Sequence, residues 1–276
     1  MRLSVKACLI ILSLVSARSY SPAQSADEQL NALPHWNEAV SAHRDGLAEI
    51  AVIKLNSIKQ LSSLAPEAQD RIRHLLVESL VRSGRYEEAL ANTQGNELPF
   101  WTGLANAMLG RLSHAQPLLL QCATDKEHAA REEAILTLAS TLNHLEGVNR
   151  AGEFLAGEIN KPENENLSPR PRLALVELHL EQGKYQAALN TLAGFGDDLS
   201  PMLRVSAHLL EARSLIALKN YENAQVKLRS ILAQQQSLPG ATINAASLLL
   251  ADVASATATP ADAVVILTGI IENAPS

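Results

Sequence analysis

Aromatic residues are scarce in this 276-residue chain, at 3% against 47% apolar residues overall. Compact β folds draw on Val, Ile, Tyr, Phe and Trp. An apolar share built mainly from Ala and Leu points instead to packed helices. Cysteine is scarcer still, with only Cys8 and Cys122. Cys8 lies in a segment expected to be removed, so no internal disulfide and no multi-cysteine zinc site is available. Cys122 reads as a small buried apolar residue. Glycine (13) and proline (12) are sparse and fall between apolar stretches rather than inside them, as helix punctuation does. Basic excess is absent: the formal net charge is -6, which argues against nucleic acid as a partner.

Long apolar runs are also missing, with one short exception at the start. Residues 1–17 read MRLSVKACLIILSLVSA. Arg2 and Lys6 precede an uncharged run from Ala7 to Val15, and Ala17, Ala23 and Ala26 follow as cleavage candidates. This is the pattern of a signal peptide over residues 1–26, with cleavage near 17–26. The run is short for a permanent membrane helix, the competing reading. Cys8 precedes most of the apolar stretch, whereas a lipoprotein cysteine follows it. The mature chain, 27–276, is expected to be exported, periplasmic in a Gram-negative cell and secreted otherwise, with no stable membrane span.

Catalytic signatures are missing as well. The eight histidines include no His-Glu-x-x-His pair. There is no Gly-rich phosphate loop and no Gly-x-Ser-x-Gly turn. No cofactor, metal site or enzymatic activity is expected.

What the chain does contain is a repeat. RSGRYEEALA at 82–91 returns as EQGKYQAALN at 181–190 and LKNYENAQVK at 218–227. The recurring alanine extends to Ala51, Ala89, Ala115, Ala151, Ala188, Ala224 and Ala263, spaced 38, 26, 36, 37, 36 and 39 residues apart. Twelve residues before each stands Ala39, Val77, Gly103, Ala139, Val176, Ala212 or Ala251, none larger than Val. Four residues after each stands Leu, except for Thr93. Twelve residues cross a short turn, so the paired small residues sit where two antiparallel helices cross closely, and the Leu fills the seam beside them. Gly84, Gly110, Gly147 and Gly183 lie where a helix end needs a left-handed residue. Tyr86, Tyr185 and Tyr221 open second helices. The short 26-residue spacing predicts one shortened second helix, ending near TQGNELPF.

SGRYEEALA and EQGKYQAALNTL resemble the tetratricopeptide repeat at its inter-helix turn, a helix–turn–helix unit of about 34 residues. The resemblance is firmest at 69–93, 169–197 and 203–233 and weakest at 31–60, and the family's Trp-x-x-Leu-Gly start is absent. It implies an all-α, right-handed α-solenoid of about seven hairpins: 31–60, 69–95, 98–123, 128–159, 169–197, 203–233 and 241–272. The alternative is an irregular α-superhelix such as the scaffold of exported peptidoglycan-cleaving enzymes.

In this family the first helix of each pair lines a groove that binds a peptide or another protein. The resemblance therefore implies a protein-binding scaffold in envelope assembly or secretion. The alternative function is the scaffold part of a cell-wall hydrolase without its catalytic domain. Groove candidates are Arg71, Glu78, Arg82, Asn143, Arg170, Glu177, Arg213 and Asp252, with Phe100 and Trp101 as an adjacent aromatic pair, about 100° apart on a helix. Glu78, Glu177 and Arg213 stand where a carboxylate clamp would need Lys or Asn. The sequence stops at a repeat boundary, IIENAPS, which is expected either of a piece of a longer repeat protein or of a terminal face that joins a partner or a second copy.

Overall fold

The computed structural model describes residues 25–58, 64–93, 98–164, 167–195, 199–257 and 260–272. The expected signal peptide falls almost wholly outside them. The described residues are helical throughout, with no strand among them, and divide into two compact units that meet at Gly84 and Arg85.

The first unit holds α1 (Ala26–Asn31), α2 (Trp36–Arg44), α3 (Ala48–Ile58) and α4 (Pro66–Arg82). A capping box starts α1: the Ser25 hydroxyl accepts from the Glu28 amide, and the Ser25 amide donates to Glu28. α2 packs on α3, and α3 on α4. Their buried faces supply Ala39, Ala51, Val52, Leu55, Ile72, Leu76 and Val77. His43 ties α2 to α4, with Nδ1 at 2.9 Å from the Ser79 hydroxyl and Nε2 at 3.1 Å from Glu78.

The second unit holds α5 (Tyr86–Asn92), α6 (Pro99–Met108), α7 (Leu112–Thr124), α8 (Arg131–Glu146) and α9 (Val148–Ile159). After these come α10 (Arg170–Glu181), α11 (Tyr185–Ala193), α12 (Pro201–Ala217), α13 (Tyr221–Leu232), α14 (Gly240–Ala256) and α15 (Pro260–Glu272). From α6 onward each helix packs on the next. This is an α-solenoid organisation, a row of stacked helix pairs. The three tyrosines each occupy the first helical position of α5, α11 and α13. α5 is the shortest second helix, at 7 residues, as the compressed spacing requires.

Every alanine of the repeat is buried, from Ala51 to Ala263, and so is each small residue twelve positions earlier. Gly103 shows why. A Cβ there would meet Leu119 Cγ at 3.0 Å and Leu118 Cβ at 3.2 Å, both on the facing helix α7. The Leu positions are less uniform: Leu55, Leu119, Leu155 and Leu228 are fully buried, while Leu267 on α15 is 38% exposed.

The turns share a glycine of positive φ, although Gly147, with ψ 169°, lies outside the left-handed helical region. Gly46, Gly84, Gly110, Gly147 and Gly183 all have φ between 70° and 93°. In three of these turns the next amide reaches back five residues: Leu47 to Ala42, Arg111 to Asn106 and Lys184 to His179. This is the closure that satisfies the last helical carbonyls. Lys219 fills the same place after α12 with φ 60°, and the Asn220 amide reaches Leu215. A side chain in that region costs energy that glycine does not. We therefore expect Lys219→Gly to stabilise the protein, by up to about 1 kcal/mol. Gly103→Val, which overpacks the crossing, should destabilise it by about 1–3 kcal/mol. Urea unfolding followed by circular dichroism measures both.

Candidate functional site

Within the second unit the first helices of successive pairs also touch one another: α6 with α8, α8 with α10, α10 with α12, and α12 with α14. The second helices pack mainly on their flanking first helices. The first helices therefore form the tighter, inner layer. Each crossing residue faces the second helix, and the next residue along points about 100° away. That places Glu177, Arg213 and Asp252, which follow Val176, Ala212 and Ala251, on exposed flanks of the inner layer.

Side chains meet across this layer. Arg170 of α10 lies 3.4 Å from Glu133 and 3.7 Å from Glu132 on α8. Glu132 also accepts from the Ser168 amide (2.9 Å) and hydroxyl (2.5 Å), which fixes the approach to α10 against α8. Asn143 donates to Glu181 at 3.4 Å. Glu177 lies between unlike neighbours. Although the residue keeps solvent exposure, partial desolvation of its carboxyl raises its pKa above the ordinary 4.5, Arg213 works against that shift, and Glu181 adds to it. Asn143, Arg170, Glu177 and Arg213 thus lie on three neighbouring helices, and of these four only Glu177 and Arg213 act on each other.

The other candidates are distributed differently. Arg71, Glu78 and Arg82 belong to the first unit, on α4. Arg71 pairs with Asp27 and Glu67, and Glu78 accepts from Arg82 at 2.7 Å as well as meeting His43. Phe100 is 4% exposed and belongs to the α6–α10 core. Trp101 is half-buried with its ring edge-to-face against Phe100, centroids 4.9 Å apart. Leu104 and the exposed Met108 continue the Trp101 stripe along α6. Asp252 is exposed on α14, and Val264 and Val265 are exposed on α15.

The one cysteine among the described residues lies in the core. Cys122 is fully buried, and its thiol is pushed up to about 11, by burial first and Asp125 second. Among the described residues no three His, Cys, Asp or Glu gather as a metal site, and no helix is long and apolar enough to cross a membrane.

No family model matches the sequence, and no curated protein matches it. A solved structure described as "Functional Characterization of Pseudomonas Aeruginosa pilF" does align. Its TM-score is 0.52 and its identity 16%, over 78% of this chain and 96% of that one. That protein is a tetratricopeptide-repeat protein. The fold is a tetratricopeptide-like helical repeat. At this identity the likeness speaks for the fold alone.

Two features of the site were missed in the sequence. Glu132 reads as a helix-start acid, and only the approach of Ser168 reveals it as a clamp. A cavity between α11, α12 and α13 likewise has no signature in the sequence beyond Gly194, which caps α11.

Two outcomes follow. A carboxyl whose folded pKa is raised costs stability once it ionises, so the cost is present near neutral pH and absent below 4.5. Glu177→Gln should raise the melting temperature near neutral pH, with the gain vanishing below that value, as scanning calorimetry at several pH values will show. In a Cys8→Ser background, Cys122 should resist a thiol reagent in native protein and react fully in denaturant.

Proposed function

We propose that this chain is an exported, non-enzymatic scaffold that binds a protein or peptide partner along its inner helix layer. The supporting observation is the concentration of mixed charge and exposed apolar groups on that layer. Asn143, Arg170, Glu177 and Arg213 lie on adjacent first helices, and the Trp101, Leu104 and Met108 stripe lies on α6. Extended concave surfaces of stacked repeats serve this purpose. The export reading rests on the basic, apolar and small-residue order of residues 1–26. The assignment to envelope assembly or secretion rests on that export reading.

The test places a photo-crosslinking residue either at Arg213, on the inner layer, or at Val226, which is 61% exposed on the second helix α13. In intact cells the Arg213 probe should capture a discrete partner and the Val226 probe should not. Adding Arg170→Glu to the Arg213 probe variant should abolish the same adduct while leaving the helical circular dichroism intact. Equal capture at both positions, or peptidoglycan cleavage by the purified chain, would overturn the reading.

A further inference from the structure

One position past the crossing alanine, second helices carry a side chain that is wholly or partly buried, such as Val52, Leu189 and Gln225. On α9 that position is Gly152. Beyond its own helix, a Cβ at Gly152 would meet only the Gln182 side chain, whose amide nitrogen lies 2.8 Å away. The side chain missing at Gly152 and the small one at Ala156 leave a cavity of about 590 Å³ between α9 and the end of α10. That volume falls within the usual range of small-ligand sites, about 300–1,000 Å³.

Gln182 enters the space that a larger residue would take, and its amide donates to the Val148 carbonyl at 2.9 Å. Its Oε1 is buried without a hydrogen bond of normal geometry, and so is Nδ1 of His179, which also lines the cavity. Burial holds His179 below the ordinary histidine range, the Gln182 amide works against that shift, and Lys184 adds to it. Near neutral pH the ring is therefore uncharged, with one nitrogen that donates and one that accepts. Asn149 and Glu153 of α9 and Lys184, just after α10, complete the lining, and all three keep solvent exposure. One carboxylate thus stands against one ammonium, and Glu153 also lies 3.9 Å from Arg150.

The polar groups of the lining are of both kinds. Gln182 Oε1 and the Glu153 carboxylate only accept, Lys184 only donates, and Asn149 and His179 do both. A carboxylate ligand would face two acceptors, and an ammonium ligand would face Lys184. A hydroxyl donates and accepts through one atom, so a set of neighbouring hydroxyls suits the whole lining. Gly152 and Ala156 are its only apolar residues, so an apolar body would gain little there. We propose that this cavity binds a neutral polyhydroxylated compound of the sugar class, with one hydroxyl at His179 Nδ1 and Gln182 Oε1 and others at Asn149, Glu153 and Lys184. The first hydroxyl gives two buried polar atoms the partner they lack. No lining residue belongs to the charged set of the inner layer, so the site does not depend on a peptide binding there. Such hydroxyls come either from a free sugar or from the end of a glycan chain.

The experiment titrates the full-length, nitrogen-labelled protein with four probes: glucose, maltotriose, glucuronate and cyclohexanol. The two neutral sugars should shift the side-chain amide signals of Asn149 and Gln182 and the backbone amide of Gly152 in a saturable way. Glucuronate, which adds a carboxylate, and cyclohexanol, which keeps one hydroxyl, should bind about tenfold or more weakly. Tighter glucose identifies a free sugar as the source, and tighter maltotriose identifies a glycan end. Asn149→Ala, on the exposed side of the lining, should weaken sugar binding about tenfold without moving the melting temperature. Ala156→Leu, which fills the cavity, should block binding. If that variant fails to fold, the Asn149→Ala result decides. No saturable shift with either sugar, or glucuronate or cyclohexanol bound as tightly as the sugars, overturns the proposal and leaves the cavity a water-filled seam between α9 and α10.

Discussion

Two helices can approach until their backbones nearly touch only where neither carries a side chain larger than a few atoms. In this protein that condition is met at Ala39 and Ala51, at Gly103 and Ala115, at Ala139 and Ala151, and onward to Ala251 and Ala263. Once a pair is drawn together there, its remaining apolar side chains are committed to the seams above and below, and each pair must bury them on its neighbours. The order of packing, the inner position of the first helices and the exposure of the residues just past each crossing all follow from this one steric allowance. Gly103 is the extreme case, because the Leu119 and Leu118 carbons already occupy the space in which a larger side chain would sit.

The turns act as the second constraint. A close crossing requires the chain to reverse in few residues, and a left-handed residue followed by an amide that reaches back five positions does so while closing the helix end. Glycine meets that demand in full at Gly46, Gly110 and Gly183, and Lys219 meets it at a fourth turn, which shows that the geometry of the reversal outranks the local preference of the residue. Between these mechanical elements the polar residues are left to the surface. There, α8 and α10 meet in two separate polar contacts, Glu132 and Glu133 with Arg170 at one end and Asn143 with Glu181 at the other.

Much of the fold was legible because its determinants are local and recur. The alanines, the glycines at helix ends and the tyrosines at helix starts each act within a few residues of themselves, and a period in the thirties repeats most of them along the helical part of the chain. The groove candidates were legible to a lesser degree. Glu177 and Arg213 could be placed beside a crossing by counting, but their mutual influence depends on the separation of α10 and α12. The aromatic pair illustrates the limit: adjacency on a helix separates Phe100 from Trp101, yet it does not say which one enters the core. Packing against the α7–α10 cluster decided for Phe100.

By itself the sequence determined the all-helical class, the pairing of helices, the positions of their close crossings and the shortened α5, since propensity, periodicity and turn chemistry are properties of short segments. Only the tertiary structure decided that residues up to Gly84 and from Arg85 form separate compact units, that Glu132 clamps Ser168, and that the early end of α11 leaves a cavity lined from three helices. These outcomes depend on distances between segments tens of residues apart. Such distances are set by how whole helices stack and by which side chains fill the space between them, and no local pattern in the chain records them.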